Sequence, residues 1–492
     1  MSTLQTAQTR ATSDALKVRE YVGYALGDTA SNFFFQTFNI FLAYYYVDVW
    51  GIPTAALLWM MPIVRLIGAF DDPIMGLIAD RTRTRWGKFR PYLLWGAIPY
   101  GICGYLVFAG PNFGPAGRLA YAYITYALML TSYTVINVPY SSLLGVISPS
   151  SRTRTVASSF RFVGAFAGAL LITLFVRPLV KRLGGGNEMR GFQMTMAIFA
   201  VASVLMFWIT FATTRERVTP PAGQKTNVGE ELRELFRNWP WVMLLITSVF
   251  STTFGALRAG STLFYFKYVA GDSGAPFFLG LAAGTTAPAN WPRWIAWLAE
   301  FFLALDRSTI FLTTGSLGLV LGTACLGSIA RRIDKKYYAA ALSAITGVCF
   351  AAFFIVPKDS FGLQLALNAF AQFCAGPTSA LTWALYGDVA DYGEWKFGRR
   401  STGLVYSASL FSIKTGIVVG GYLLPLFLDR FGFVRNAVQT PKALLGITLA
   451  FSIAPGLFAL LKAAALLLYP LNQKRVDQIE RELAARRAAS PT

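Results

Sequence analysis

Runs of about twenty residues rich in Leu, Ile, Val, Phe, Ala and Gly recur along the whole of this 492-residue chain, far more than a soluble core has room for. A hydrocarbon layer of about 30 Å takes roughly 20 helical residues per crossing, and a helix satisfies its own backbone hydrogen bonds where water is missing. The runs fall near 22–48, 54–80, 92–110, 119–146, 158–181, 192–214, 240–269, 308–330, 337–356, 361–390, 401–428 and 442–469. They predict an all-α polytopic membrane protein with about twelve transmembrane helices. A composition of 55% hydrophobic and 14% charged residues agrees.

A net charge of +20 would direct a soluble chain toward nucleic acid. Here the Lys and Arg crowd into the two tails and the even-numbered loops, such as Arg83, Arg85, Lys88 and Arg90, or Arg331, Arg332, Lys335 and Lys336. That bias predicts a multi-pass protein of the cell membrane with both termini in the cytoplasm, its basic loops against anionic lipid and no nucleic-acid partner. The first 20 residues lack an apolar run before a small-residue cleavage site, so no removable leader is expected. The four cysteines, Cys103, Cys325, Cys349 and Cys374, sit in apolar runs without ligand spacing and read as buried hydrophobes.

The chain has no histidine, which removes Ser-His-Asp and Cys-His catalysis and His-ligated zinc. The one cluster a membrane-embedded enzyme could use is Asp71 with Asp72, and no histidine assists it. Neither an enzyme nor a bound cofactor is expected. If protons move, carboxylates carry them.

Charge inside the membrane is the next constraint, since an unpaired charge there costs at least ~2.5 kcal/mol. The second run holds Arg65, Asp71 and Asp72 and exits through Asp80 and Arg81; Arg161, Arg258 and Lys414 lie within later runs. Polar residues also follow helical spacing. Asp28, Asn32, Gln36 and Asn39 share one face of the first run, and Tyr133, Asn137 and Ser141 one face of the fourth. Asn368, Gln372, Ser379 and Thr382 do so in the tenth, and Ser251 faces the same way as Arg258 in the seventh. These stripes predict a central polar cavity. An internal repeat is also present: Gly164-x-x-x-Gly168 after Arg161 is echoed six runs later by Gly416-x-x-x-Gly420 after Lys414. A second echo pairs 76–81 with 327–332. The chain therefore divides into a tail 1–21, a first half 22–214, a linker 215–238 with Pro220 and Pro221, a second half 239–470, and a tail 471–492. Within the second half, 271–307 is a long outer loop whose Trp291, Trp294 and Trp297 suit a short interfacial helix. In the last tail, Val476, Ile479 and Leu483 predict an amphipathic helix.

Four motifs carry a family resemblance: Tyr44-Tyr45-Tyr46-Val47-Asp48, Asp72-Pro73-Ile74-Met75-Gly76, Arg85-Trp86-Gly87-Lys88-Phe89-Arg90-Pro91 and Asp391-Tyr392-Gly393-Glu394-Trp395-Lys396. They resemble the glycoside/pentoside/hexuronide:cation symporters, the melibiose-carrier group of the major facilitator superfamily. The likeness runs from Tyr21 to Leu483. It implies a major facilitator fold of two six-helix bundles and alternating access, with a sugar or glycoside moved alongside a coupling cation. The implied cation site is Asp72 with Asp71 and Thr134. The family's first acidic position falls on Gly68, and losing that carboxylate favours H+ over Na+ as the coupling ion. The implied substrate site takes Asn32, Asn137, Ser141, Ser379, Arg161 and Lys414 at matching positions; the polar stripes add Gln36, Asn39, Tyr133 and Arg258, and Trp383 is a candidate to stack on a pyranose face in place of the family's tryptophans. Two family carboxylates become amides here, at Asn32 and Asn137, so an anionic solute such as a hexuronide or sulfosugar is one expectation, held by an Arg161 fork. An inner gate is implied at Asp80 and Arg81 and at Asp388, Asp391 and Glu394 with Arg399 or Arg400. A monomer is expected. Two other readings stay open: an exporter or carrier of hydrophobic glycosides or lipid, for which Phe33, Phe34, Phe35, Phe38 and Phe41 supply an aromatic wall, and a non-transporting sensor.

Overall fold

A computed structural model describes residues 16–148, 151–217, 237–271, 292, 305–326, 333–397 and 402–489. Among them no strand forms, and helices follow one another throughout: α1 (Val18–Thr37), α2 (Thr54–Arg81), α3 (Arg90–Trp95), α4 (Ala97–Leu106), α5 (Pro115–Val146), α6 (Ser151–Gly184), α7 (Glu188–Thr213), α8 (Trp239–Tyr265), α9 (Arg307–Leu326), α10 (Lys335–Ala352), α11 (Phe361–Phe397), α12 (Thr402–Arg430), α13 (Pro441–Phe451), α14 (Ile453–Leu468) and α15 (Gln473–Ala489). Counting α3 with α4 and α13 with α14, twelve helical stretches lie where the apolar runs predict them. Pro455 breaks the last of these, because it has no N–H and its ring would meet the carbonyl of Phe451; the break falls at Ser452. Six helices are long and apolar enough to cross a membrane by length and composition, among the described residues. Helix α2 is not one of them, for it carries Arg65, Asp71, Asp72, Asp80 and Arg81 along its length. The expected boundary of the tenth run at 390 is too early. Helix α11 continues to Phe397, so Asp391 and Glu394 sit on helix rather than loop.

The described residues form two compact units. One takes those of Met1–Ala56, Ile63–Gly223 and Gly274–Asp306; the other takes those of Leu57–Pro62, Gln224–Ser273 and Arg307–Thr492. The sequence division places 306 in the second half, but Asp306 belongs to the first unit. It is fully buried there, 3.0 Å from Arg177 and 3.1 Å from Lys181, and two cations explain why a buried carboxylate is held. Most of the expected linker 215–238, and Trp291, Trp294 and Trp297, lie outside the described residues.

Each unit repeats the other's internal packing. In the first, α1 lies against α6 and α7; in the second, α8 lies against α12 and α14. The glycine echo read from sequence is what makes both contacts close. A Cβ on Gly164 would come 2.3 Å from the Ala25 carbonyl oxygen, and one on Gly416 would come 2.4 Å from that of Val249. In each case a threonine hydroxyl crosses the contact: Thr29 donates to the Gly164 carbonyl at 2.8 Å, Thr253 to that of Gly416 at 3.0 Å. Replacing Gly164 or Gly416 by Leu is expected to cost at least ~1–3 kcal/mol, since the neighbour is backbone and cannot yield. Gly362→Ala, whose side chain would meet nothing within 4 Å, serves as the control. A thermal unfolding midpoint in detergent that is unchanged for both Leu variants would show that the helices do not meet there.

Both lead helices widen toward one end. Past Thr37 the first turns to π-type spacing over Phe38–Leu42 and Tyr45–Trp50 and stops at Gly51, φ 86°. Past Tyr265 the other does so over Phe266–Ala270 and stops at Gly271, φ 74°. Positive φ is the reason glycine ends both. At the opposite end of the first unit, Glu216 accepts backbone N–H groups from Lys88, Phe89 and Arg90 at 2.8–3.1 Å, filling the space beside Gly87, whose φ is 110°. The amphipathic tail helix forms as expected. Val476, Ile479 and Leu483 of α15 are buried with Trp241, Val389 and Tyr469 of the second unit, and Trp395 donates to Glu482 at 2.5 Å.

Candidate functional site

The two acids of α2 point to α5 in different ways. Asp71 accepts a hydrogen bond from Thr131 at 2.7 Å, on the exposed side of α5. Asp72 accepts from Thr134 at 3.0 Å, and Thr134 is 2% exposed. Consecutive residues on a helix project about 100° apart, which is why the two partly buried carboxylates reach different hydroxyls, one exposed and one buried. The structure thus brings Asp72 and Thr134 together and leaves Asp71 on a separate hydroxyl. The side chain of Arg65 lies outside the described residues. Among those residues, no group of three or more His, Cys, Asp or Glu is placed to hold a metal ion.

The polar face of α1 meets α5 and α6. Asp28 and Arg161 form an ion pair at 3.4 Å, and Arg161 reaches on to Ser141 Oγ at 3.3 Å. Their side chains are 12% and 26% exposed, so neither charge is fully buried. Arg161 also stands over the Tyr140 ring at 5.1 Å, and Tyr140 stacks on Tyr24 with the two rings donating to each other's carbonyls. Asn32 donates to the Asp28 carbonyl at 2.9 Å and accepts from Gln36 at 3.4 Å. Asn137 keeps a buried amide oxygen that no donor reaches. Tyr133 stacks on Phe35 at 5.9 Å. Asn39 falls in the wide-turn segment, partly exposed like Asn32 and Gln36. The stripe read from spacing is therefore real, with one correction. The Arg161 fork expected for an anion is already answered by Asp28.

The second unit is charged differently. With its amide oxygen turned inward, Gln372 accepts from Arg258 Nη2 at 2.9 Å and from Nε and Nη1 at 3.0 Å. The guanidinium also lies 5.9 Å from the Phe350 ring. An amide supplies a dipole and no charge. Asn368, by contrast, is fully buried and donates to the Phe311 carbonyl at 2.7 Å, so it joins helices rather than lining a site. Ser379 is exposed, while Trp383 and Lys414 are partly buried, with Trp383 edge-on to Tyr386 at 6.0 Å.

Of the expected gate, Arg81 is exposed in the last turn of α2. The side chain of Asp80, together with Arg399 and Arg400, lies outside the described residues. Asp388 does find a cation, but it is Lys335, at 3.1 Å, from the first turn of α10. Reading the basic loop at 331–336 only as a lipid contact missed that pairing. Asp391 and Glu394 are partly exposed on the last turns of α11.

Sequence reasoning also missed Lys462. It sits in the middle of the last apolar run, 5% exposed, and donates to Ser251 at 3.0 Å and to Thr378 at 2.9 Å. The signal that singled out Arg65 and Arg161, a cation at membrane depth, applied to it equally.

Comparison with known proteins agrees with this geometry. The family description "MFS/sugar transport protein" matches residues 23–299 and 298–473. A putative glycoside/cation symporter of Escherichia coli strain K12 is 34% identical over 484 residues, 96% of each chain. A glucuronide carrier protein homolog of the same organism is 31% identical over 476 residues, again 96% of each. The crystal structure of a bacterial homolog of the human lysosomal transporter Spinster superposes with a TM-score of 0.66 at 15% identity, covering 92% of this chain and 96% of the other, which shows the fold. No enzyme is implied by any of these similarities. With a polar interior in each unit and an acid of α2 facing α5, the chain belongs to the MFS/sugar transport family, among its glycoside/pentoside/hexuronide:cation symporters.

Proposed function

We propose that this protein is a secondary active transporter that moves a sugar or glycoside together with H+ by alternating access, with both termini in the cytoplasm. The observation that carries the coupling is Asp72 on Thr134: a carboxylate of α2 beside a buried hydroxyl of α5. A proton needs one carboxyl group, whereas Na+ wants a cage of several oxygens. Asp71, held by Thr131 on the exposed side of α5, does not complete such a cage.

The charge balance favours an acidic solute, such as a hexuronide or sulfosugar. Asp28 offsets Arg161, but among the described residues neither Arg258 nor Lys462 of the second unit has a carboxylate, so a carboxylate or sulfonate would supply a counter-charge to that pair of cations. The reading as a carrier of lipid or hydrophobic glycosides loses its aromatic wall. Phe33, Phe34, Phe38 and Phe41 are buried against Phe199, Tyr100, Phe108 and Phe192, which leaves Phe35 the partly exposed one of the five. A sensor would not require Asp72 to be kept.

Proteoliposomes test the reading. With an inward proton gradient imposed, uptake of a glucuronide should rise above equilibrium and be matched by alkalinisation outside. A sodium gradient alone should not drive it. Accumulation that is the same with every ion gradient collapsed would rule out coupled transport.

A further inference from the structure

Lys462 of α14 is tied by its ammonium group to two other helices of the second unit, through Ser251 on α8 and Thr378 on α11. Neither contact carries charge. Among the described residues neither Lys462 nor Arg258 enters an ion pair, in contrast to Arg161, Arg177, Arg217 and Lys335, each of which has a carboxylate. A buried cation without a counter-charge is costly, and a bound anion would offset that cost. The donor inventory leaves room for that anion. An ammonium has three N–H bonds, of which two are used among the described residues, and the Ser251 hydroxyl accepts from Lys462 while no acceptor among those residues takes its own O–H. Thr378 has spent its O–H on the Ala375 carbonyl at 2.7 Å.

The neighbouring face of α8 is open. Ser251, Gly255 and Arg258 follow steps of four and three residues and so stand on one side of the helix. A side chain added at Gly255 would meet nothing within 4 Å. A bare glycine thus lies between the Lys462–Ser251 pair and the Arg258 guanidinium, which are about 10 Å apart along the axis by helical rise. That is room for a glycoside with an acidic group at one end.

We infer that Lys462 and Ser251 form a subsite, floored by Gly255, for the carboxylate or sulfonate of the transported solute, and that Lys462 sets the preference for acidic over neutral glycosides. This rests on the transport reading above and adds a specificity residue to it. Arg258, held by Gln372, then faces the hydroxyl-bearing part of the solute.

The test compares 4-nitrophenyl β-D-glucuronide with 4-nitrophenyl β-D-glucoside, binding each to purified full-length protein by isothermal titration. Lys462→Met should weaken the glucuronide about tenfold or more and the glucoside less than about twofold, while Lys462→Arg restores most of the glucuronide affinity. Ser251→Ala, which removes only a hydroxyl, should produce a smaller loss in the same direction, and it stands in if the Met variant does not fold. Gly255→Leu should weaken both glycosides by filling the open face. Equal losses for both probes in the Lys462 and Ser251 variants would overturn the assignment. So would chloride that stabilises the wild type against heat but not Lys462→Met while the glucuronide preference is unchanged, for the subsite would then hold a free anion. Wild-type protein that binds neither glycoside would overturn this subsite and the proposed function together, whereas binding without a charge preference would leave transport standing and remove the subsite alone.

Discussion

Asp72→Asn is expected to abolish uphill accumulation while leaving solute exchange close to the wild-type rate. An asparagine keeps the volume and still takes the Thr134 hydrogen bond, so helix α2 stays on α5, but it cannot bind and release a proton. A pH difference of one unit is worth about 1.4 kcal/mol per proton, enough for ~tenfold accumulation at one-to-one coupling. The variant should bring that ratio to equality and make uptake indifferent to the imposed gradient. Thr131→Ala, which touches Asp71 rather than Asp72, should leave accumulation intact. Uphill transport that survives in Asp72→Asn would place the coupling elsewhere.

The second large effect is expected at Asp28. Removing its charge by Asp28→Asn leaves Arg161 with uncharged partners such as the Ser141 hydroxyl and the Tyr140 face. Breaking a fully buried pair costs about 3–5 kcal/mol; with side chains 12% and 26% exposed, screening lowers that here to roughly 1–3 kcal/mol. Arg161→Gln alone should be equally harmful, and the double variant should be better than the sum of the two. A double-mutant cycle on thermal unfolding in detergent measures the coupling. Strictly additive losses would mean that the two charges do not depend on each other, and Arg161 would then regain its standing as an anion fork.

The helices were legible because their signal is repeated over many residues. Twenty apolar positions outvote any local exception, and Gly164 and Gly416 marked the two tight crossings before any contact was known. Side-chain pairing was less legible, since it depends on which helices lie side by side. Spacing placed Asp28 and Asn32 on one face and so offered Asp28 as an offset to Arg161, but the pair itself depends on α1 lying beside α6. The same limit hid Lys335 behind Asp388 and Asp306 behind Arg177, pairs 53 and 129 residues apart. Lys462 is a different case. Its type and position were in plain view, and an averaged hydropathy run of the last helix swallowed a single lysine.

The wide turns at the ends of α1 and α8 have a consequence for evolution. A π-type turn accommodates one more residue than an α turn, so each side chain beyond it is rotated by about 100° from where an unbroken spiral would put it. Shared ancestry of the two halves would have had to carry this extra residue from before the duplication or gain it twice. Trimming one position between Phe38 and Trp50, or between Phe266 and Ala270, would then re-aim everything downstream while the backbone ladder stays complete, a cheap route by which new cargo preferences could arise from an old scaffold.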